Sequence, residues 1–298
     1  MKKPFRHFGF AVGVLLLALV ARSALAVERA YAVVDSVQMP AWVERNGVRK
    51  PLEPGRVLQN RDRVITGAEA RVLIQLAEGS AVKLGENAQL DLNALGRREN
   101  KVFTAALDVA KGAFRFTTGI FNSLRQQRAV NVRIATITAG IRGTDLWGKS
   151  DDQRDLICLL EGRITVMHPQ SEAQEMSEPM SFYVAPRGEA PQAVDKVDAV
   201  QLTLWAAETE VQPGAGVARR GGKWKLELAT LDSQDQALDL YDRARAAGYA
   251  VSIKPKAAES GNYRYAVRVM HLPSKEEAEI LGGKLIGLLQ LDSPVATR

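Results

Sequence analysis

The chain has one cysteine in 298 residues, Cys158. No intramolecular disulfide can form, so burial must hold the fold together. Cys158 lies in the apolar run DLICLLEGRITV and reads as a small buried hydrophobe. Histidine is nearly as scarce: His7, His168 and His271 are the whole set. No H-x-x-x-H, C-x-x-C or histidine–acid cluster occurs, which argues against a zinc site. Neither a Gly-x-Ser-x-Gly elbow nor a phosphate-binding loop is present, and GGKW at 221–224 lacks the upstream glycine such a loop needs. Abundant carboxylates leave a glycosidase pair open. With no catalytic residue, metal ligand or cofactor motif to assign, the chain is expected not to be an enzyme.

Long hydrophobic runs are missing too, with one exception. Lys2, Lys3 and Arg6 precede an uncharged stretch from Phe8 to Ala21, followed by Ser23-Ala24-Leu25-Ala26, a small-x-small site. The run is short for a membrane span, which needs about 20 residues. The pattern is that of a secretory signal, with cleavage expected after Ala26. The mature protein is then exported, and a bacterial periplasm is the expected compartment. Export also changes the charge argument. Formal net charge is +6, but Lys2, Lys3, Arg6 and Arg22 leave with the signal, so about +2 remains. That is weak ground for a nucleic-acid partner, and none is expected.

Apolar residues then alternate in short runs. Val72, Ile74 and Leu76 share one face, as do Val82 and Leu84, Leu90 and Leu92, Leu107 and Val109, Phe114 and Phe116, and Val132 and Ile134. Glycines punctuate nearly every run. Residues 27–168 are therefore expected to form an all-β domain: a roll, a sandwich or a short β-helix. Residues 169–211 are expected to be a polar segment followed by a helix, with Val197, Val200, Leu204 and Ala207 on its apolar stripe. QPGAGVARRGG at 212–222 reads as a linker.

Residues 223–298 alternate element types in the order βαββαβ, a ferredoxin-like α+β pattern. Ser233 is the expected cap of the first helix. Ser274 with Glu277 forms a capping box on the second. Leu226, Leu228, Val251, Ile253, Val267 and Val269 fall on the face that two helices would cover. The opposite face then carries Lys225, Glu227, Ser252, Lys254, Arg264 and Arg268, a shallow cationic platform suited to an extended anionic ligand. For an exported bacterial protein the expected ligand is peptidoglycan, whose muramic acid units bear carboxylates once peptides are removed.

Two resemblances now attach to these residues. The stretch GKWKLELATLDSQDQALDLYDRARAAGYAVSIKPKAAESGNYRYAVRVMHLPSKEEAEILGGKL resembles a SPOR domain, the sporulation-related module. The resemblance implies binding of septal peptidoglycan glycan strands on the uncovered sheet face. This chain departs from the usual pattern at Glu227, where the family often has Gln, at Ala229-Thr230-Leu231, where it has Gly-Ser-Phe, and at Met270-His271-Leu272, where it favours Gly-Pro-Phe. A carboxylate at 227 would repel an anionic glycan unless Lys225, Arg264 or Arg268 pairs with it.

The stretches GRVLQNRDRVITGAEARVLIQLAEGSAVKLGENAQLDL, LDVAKGAFRF and IRGTDLWGKSDDQRDLICLLEGRITV resemble a FecR domain. That resemblance implies a β fold and contacts with an envelope protein partner. FecR itself relays a signal to a sigma factor through a cytoplasmic segment. Few residues precede the apolar run here, so the fold is carried over and that mechanism is not. Arg142, Gly143 and Thr144 are read as a fold signature rather than a site: Gly143 as a bulge or close backbone approach, Trp147 as packed, and Arg142 as paired with Asp145 or another acid.

Overall fold

The alternation read along the first half becomes a ladder of strands, and the alternating residues are its buried side. The computed structural model describes residues 30–98, 102–118, 128–258 and 261–298, without the side chains of Arg128 and Arg142. The signal-peptide reading over 1–26 lies outside them. The first strands are β1 (Ala32–Gln38), β2 (Ala41–Arg45), β3 (Val48–Pro51), β4 (Val57–Leu58), β5 (Arg63–Thr66), β6 (Arg71–Leu76), β7 (Ala81–Leu84) and β8 (Gln89–Arg97). Longer ones follow: β9 (Phe103–Thr117), β10 (Arg128–Ile134), β11 (Ile137–Ser150) and β12 (Arg154–His168). Then come β13 (Ser171–Met176), β14 (Ser181–Pro186), β15 (Asp195–Lys196), helix α1 (Ala199–Thr209) and β16 (Val217–Arg219). These sixteen strands join in one hydrogen-bonded sheet whose main path is β15-β14-β12-β11-β10-β9-β7-β6-β1-β16. Strand β9 is shared. Its first half pairs with β8 and β10, and its second half with β7 and β11.

The C-terminal region contains β17 (Trp224–Leu231), α2 (Gln234–Ala246), β18 (Val251–Ala257), β19 (Tyr263–Leu272), α3 (Lys275–Leu289) and β20 (Val295–Thr297). Its strands form a separate antiparallel sheet in the order β18-β19-β17-β20. The protein is thus mostly β at its N-terminal side, with three helices among the described residues and a small four-stranded α+β region at its C-terminal end.

Two expectations change in the middle of the chain. The polar segment expected ahead of the helix contains two strands, β13 and β14. Strand β13 is polar because it lies exposed beside β12, and β14 is buried through Tyr183, Val184 and Ala185. Helix α1 begins one residue after its cap, Asp198, whose carboxylate accepts from the Val200 and Gln201 amides at 2.9 Å. Its inward stripe is Leu202 and Trp205, not Val200 and Leu204, which are 72% and 59% exposed. Aromatic stacking decides the rotation: the Trp205 ring lies flat on Trp147 at 5.0 Å, with Phe182 edge-on at 6.0 Å. Cys158 is fully buried beside them, and burial pushes its thiol up to about 12, as a small core hydrophobe requires.

The Arg-Gly-Thr signature is a bulge. Arg142 faces Arg163 in the β11–β12 ladder and Asp145 faces Glu161, so Gly143 and Thr144 stand together against Gly162. Thr144 is buried. Its amide donates to the Thr118 hydroxyl at 3.1 Å and its hydroxyl donates to the Arg163 carbonyl at 3.1 Å, pinning the bulge on both sides. Gly162 has φ +92°, and a Cβ there would lie 2.3 Å from the Gly143 carbonyl oxygen. Gly162→Ala is therefore expected to destabilise by about 3 kcal/mol or more, from left-handed backbone strain plus the forced opening of the bulge. A urea-denaturation midpoint within experimental error of the native one would contradict this. Asp145 does not look to its own strand for a partner: Arg115 on β9 grips it through two bonds of 2.9 and 2.7 Å. The Arg142 side chain lies outside the described ones.

The expected linker is not a tether. Val217 and Ala218 in β16 are buried, and β16 pairs antiparallel with β1 at the edge of the large sheet. The cause lies in the glycines. Gly214 and Gly216 sit at φ +81° and +79° and turn successive amides toward one point. The Glu277 carboxylate occupies that point, accepting from Gly214, Gly216 and Val217 at 2.6, 2.7 and 2.8 Å. Ser274 caps α3 as expected, accepting from the Glu277 amide at 3.3 Å. The Glu277 side chain leaves the capping box and holds the 212–222 segment instead. A second contact lies at the end of α2, where the Ala41 amide donates to the Gly248 carbonyl at 3.2 Å. A Cβ on Gly248 would collide with Trp42 at 2.5 Å. One continuous cluster of buried apolar side chains runs from β1 through the C-terminal helices.

Candidate ligand-binding face

Helices α2 and α3 cover one side of the small sheet, burying Leu226, Leu228, Val267 and Val269. Strand alternation turns the other side outward. The register sets its rows. Glu227 and Ser252 flank Arg268; Thr230 and Lys254 flank Ala266; Lys256 lies opposite Arg264. The six residues expected on this face are therefore gathered on one sheet, with unequal roles.

Arg268 is at the centre. It is half-buried, its Nε is buried with no hydrogen-bond partner, and among the described residues no carboxylate forms an ion pair with it. Ser252 lies directly opposite it on the edge strand β18. Lys254 is exposed in the next row. Arg264 is already engaged, with Nε on Asp232 at 2.6 Å and a second nitrogen on the Thr230 carbonyl at 3.3 Å. Lys225 sits toward β20, its Nζ 3.1 Å from the Arg298 carbonyl.

Glu227 does pair, but with none of the three expected cations. Lys256 donates to it at 2.6 Å, and the Thr230 hydroxyl donates to its other oxygen. Burial works against its charged form, but the Lys256 and Thr230 hydrogen bonds and the Lys256 and Arg268 charges outweigh it, so the pKa lies below its ordinary value of 4.5. A depressed carboxylate pKa adds stability that is fully present above about 4.5 and lost as pH falls through the folded value. The melting temperature of the native protein should therefore exceed that of Glu227→Gln at neutral pH, with the gap closing in acid. A gap that stays constant down to pH 3 would show that Lys256 does not hold this carboxylate.

Lys256 is the residue of this face that sequence reading missed, and it holds Glu227. Strand β18 continues through Pro255 to Ala257 because it is an edge strand, where a residue without an amide proton is tolerated. Extending the alternation Ser252, Lys254 by two residues would have found it.

With the geometry in hand, the similarities to known proteins can be placed. Residues 62–165 match the FecR protein family, and residues 221–290 match the SPOR domain family. The chain thus combines a FecR domain with a C-terminal SPOR domain, and the SPOR domain implies peptidoglycan binding and the cell envelope. Two crystal structures of a protein assigned as an anti-sigma factor from Parabacteroides distasonis ATCC 8503 are similar to it at 13% identity and TM-score 0.41. One aligns over 75% of this chain and 90% of its own, the other over 79% and 98%. Among curated proteins there is no match. The described residues hold no helix long and apolar enough to cross a membrane, and no cluster of three or more potential metal ligands.

Proposed function

We propose that this is an exported, periplasmic, non-enzymatic protein that binds peptidoglycan glycan strands on the outer face of its SPOR sheet, with the FecR domain as an interaction or sensory module. The observation that carries the reading is Arg268: a half-buried guanidinium without an ion pair among the described residues, at the centre of an uncovered sheet face, between Glu227 and Ser252 and one row from Lys254. Guanidinium is suited to carboxylate, and the stretched rows suit a linear polymer. The strand order β18-β19-β17-β20, with helices on one side, supports a ferredoxin-like topology for this module. The charged n-region, apolar run and small-x-small site at residues 1–26 support export.

A second reading, an envelope regulator acting through protein contacts of the FecR domain, draws on α1. Trp205 and the ion pairs from Lys149 to Glu208 and from Lys83 and Arg115 to Glu210 fasten that helix to the sheet, while Val200 and Leu204 face solvent.

The test is retention of the full protein on purified sacculi with and without amidase treatment. Greater retention after amidase, reduced by added salt, is expected. Retention no greater than that of a control protein would remove the glycan reading and favour the second. Retention that requires sacculus-bound protein would do the same.

A further inference from the structure

The docking of the two modules places a small cleft where the FecR side meets strands β18 and β19 of the SPOR sheet, reaching Ser252 and Met270 of its outer face. Its volume is about 50 Å³. Met39, Pro54 and Glu53 come from the FecR side, and Ala250, Ser252 and Met270 from the SPOR side. The walls are largely apolar. Among the side chains there that can accept hydrogen bonds are the Ser252 hydroxyl, the Glu53 carboxylate and the His271 imidazole. Glu53 is about half exposed, and its ion pair with Arg56 is long, at 3.7 Å, which leaves acceptor capacity on its oxygens.

Two features tie this cleft to the ligand face. Ser252 stands directly opposite Arg268 in the β18–β19 register, so it belongs to both. Met270 follows Arg268 by two residues on the same side of β19, a step of about 7 Å along the strand. A sugar unit whose anionic group meets Arg268 therefore brings a neighbouring substituent to the cleft mouth. The cleft needs a group with a small apolar end and an adjacent N–H donor. A volume of about 50 Å³ admits little more than one or two waters, or one such group. An acetamido substituent meets both needs, with its methyl against Met39, Ala250 and Met270 and its N–H toward Ser252 or Glu53.

We propose that this interdomain cleft is a subsite for the acetamido group of an N-acetylated amino sugar, so that the FecR domain forms part of the glycan-binding surface. The proposal rests on the glycan reading above and assigns Glu53 and Ala250 as specificity-determining residues. It also gives the rigid docking of the modules a purpose: a flexible tether could not hold Glu53 beside Ser252.

The test uses the full protein with a tetramer of N-acetylglucosamine in saturation-transfer NMR, and with peptide-free glycan strands in a binding assay. The strongest transfer is expected at the acetyl methyl protons. Ala250→Leu fills the cleft and should reduce that signal and weaken strand binding about fivefold, which corresponds to about 1 kcal/mol. Glu53→Gln, an exposed change that spares the fold, should weaken both in the same direction should the leucine variant misfold. Transfer to ring protons equal to that at the methyl, unchanged in both variants, would overturn the subsite. Strand binding that is lost in Arg268→Gln but native in both cleft variants would also overturn the subsite while leaving the glycan reading intact. Native binding in all three variants would overturn both.

Discussion

Glu277→Ala is expected to lower stability by about 3 kcal/mol and to release the segment 212–222. Three amides, those of Gly214, Gly216 and Val217, lose one carboxylate at the same time. Leaving a buried donor unsatisfied costs about 1–3 kcal/mol, and more when the lost acceptor was charged. The full sum will not be realised, because the segment can swing out and hydrate its amides. That relaxation has its own cost: it pulls Val217 and Ala218 from the edge of the large sheet and exposes them. Glu277→Gln should be intermediate, since its amide oxygen can still accept but its nitrogen cannot. Trypsin provides an independent reading, because Arg219 and Arg220 lie in the released stretch. Native protein should resist cleavage there, whereas the alanine variant should be cut into two fragments. An unchanged melting curve together with an unchanged digest would show that the modules are held by other contacts.

The second large effect is expected at Arg268. Removing its guanidinium should weaken binding to amidase-treated sacculi about tenfold or more, equivalent to about 1.4 kcal/mol. The neutral variant Arg268→Gln is the better probe. Charge reversal would set a carboxylate directly across from Glu227 and mix folding with binding. Arg264→Gln should cost less, because Asp232 and the Thr230 carbonyl already occupy that side chain. Salt separates the contributions further. Native retention should fall with ionic strength, and the Arg268 variant should respond less steeply because it has lost a screened contact. If Arg268→Gln and Arg264→Gln both bind as the native protein does, the ligand site lies off this sheet.

Much of the molecule was readable from one sequence because alternation has a direct geometric meaning. Val72, Ile74 and Leu76 had to share a face once that stretch was extended, and they are buried. The outer face of the SPOR sheet follows from the same rule, which is why Arg268, Ser252 and Lys254 could be placed on one face without a structure. Period alone does not specify partners. Lys225, Arg264 and Arg268 were the cations considered as partners for Glu227. Register sets Arg268 directly across from it, yet its hydrogen bonds go to Lys256 on the next strand over and to Thr230, while Lys225 and Arg264 turn to the Arg298 carbonyl and to Asp232. Helix α1 shows the same limit. Its sequence is apolar nearly all round, so several stripes were available. The flat contact between Trp205 and Trp147, residues 58 positions apart in sequence, chose among them.

Local sequence determined where strands and helices begin, which faces are apolar, and that the chain joins a glycine-punctuated β domain to a small α+β module, because each of these depends on neighbours a few residues apart. Tertiary structure alone decided that QPGAGVARRGG is a clasp. In a linker, glycines give freedom; here Gly214 and Gly216 hold left-handed backbone so that their amides reach Glu277, some 60 residues away. Composition is the same in both cases. The difference lies in a distant carboxylate, and only the folded chain brings it there.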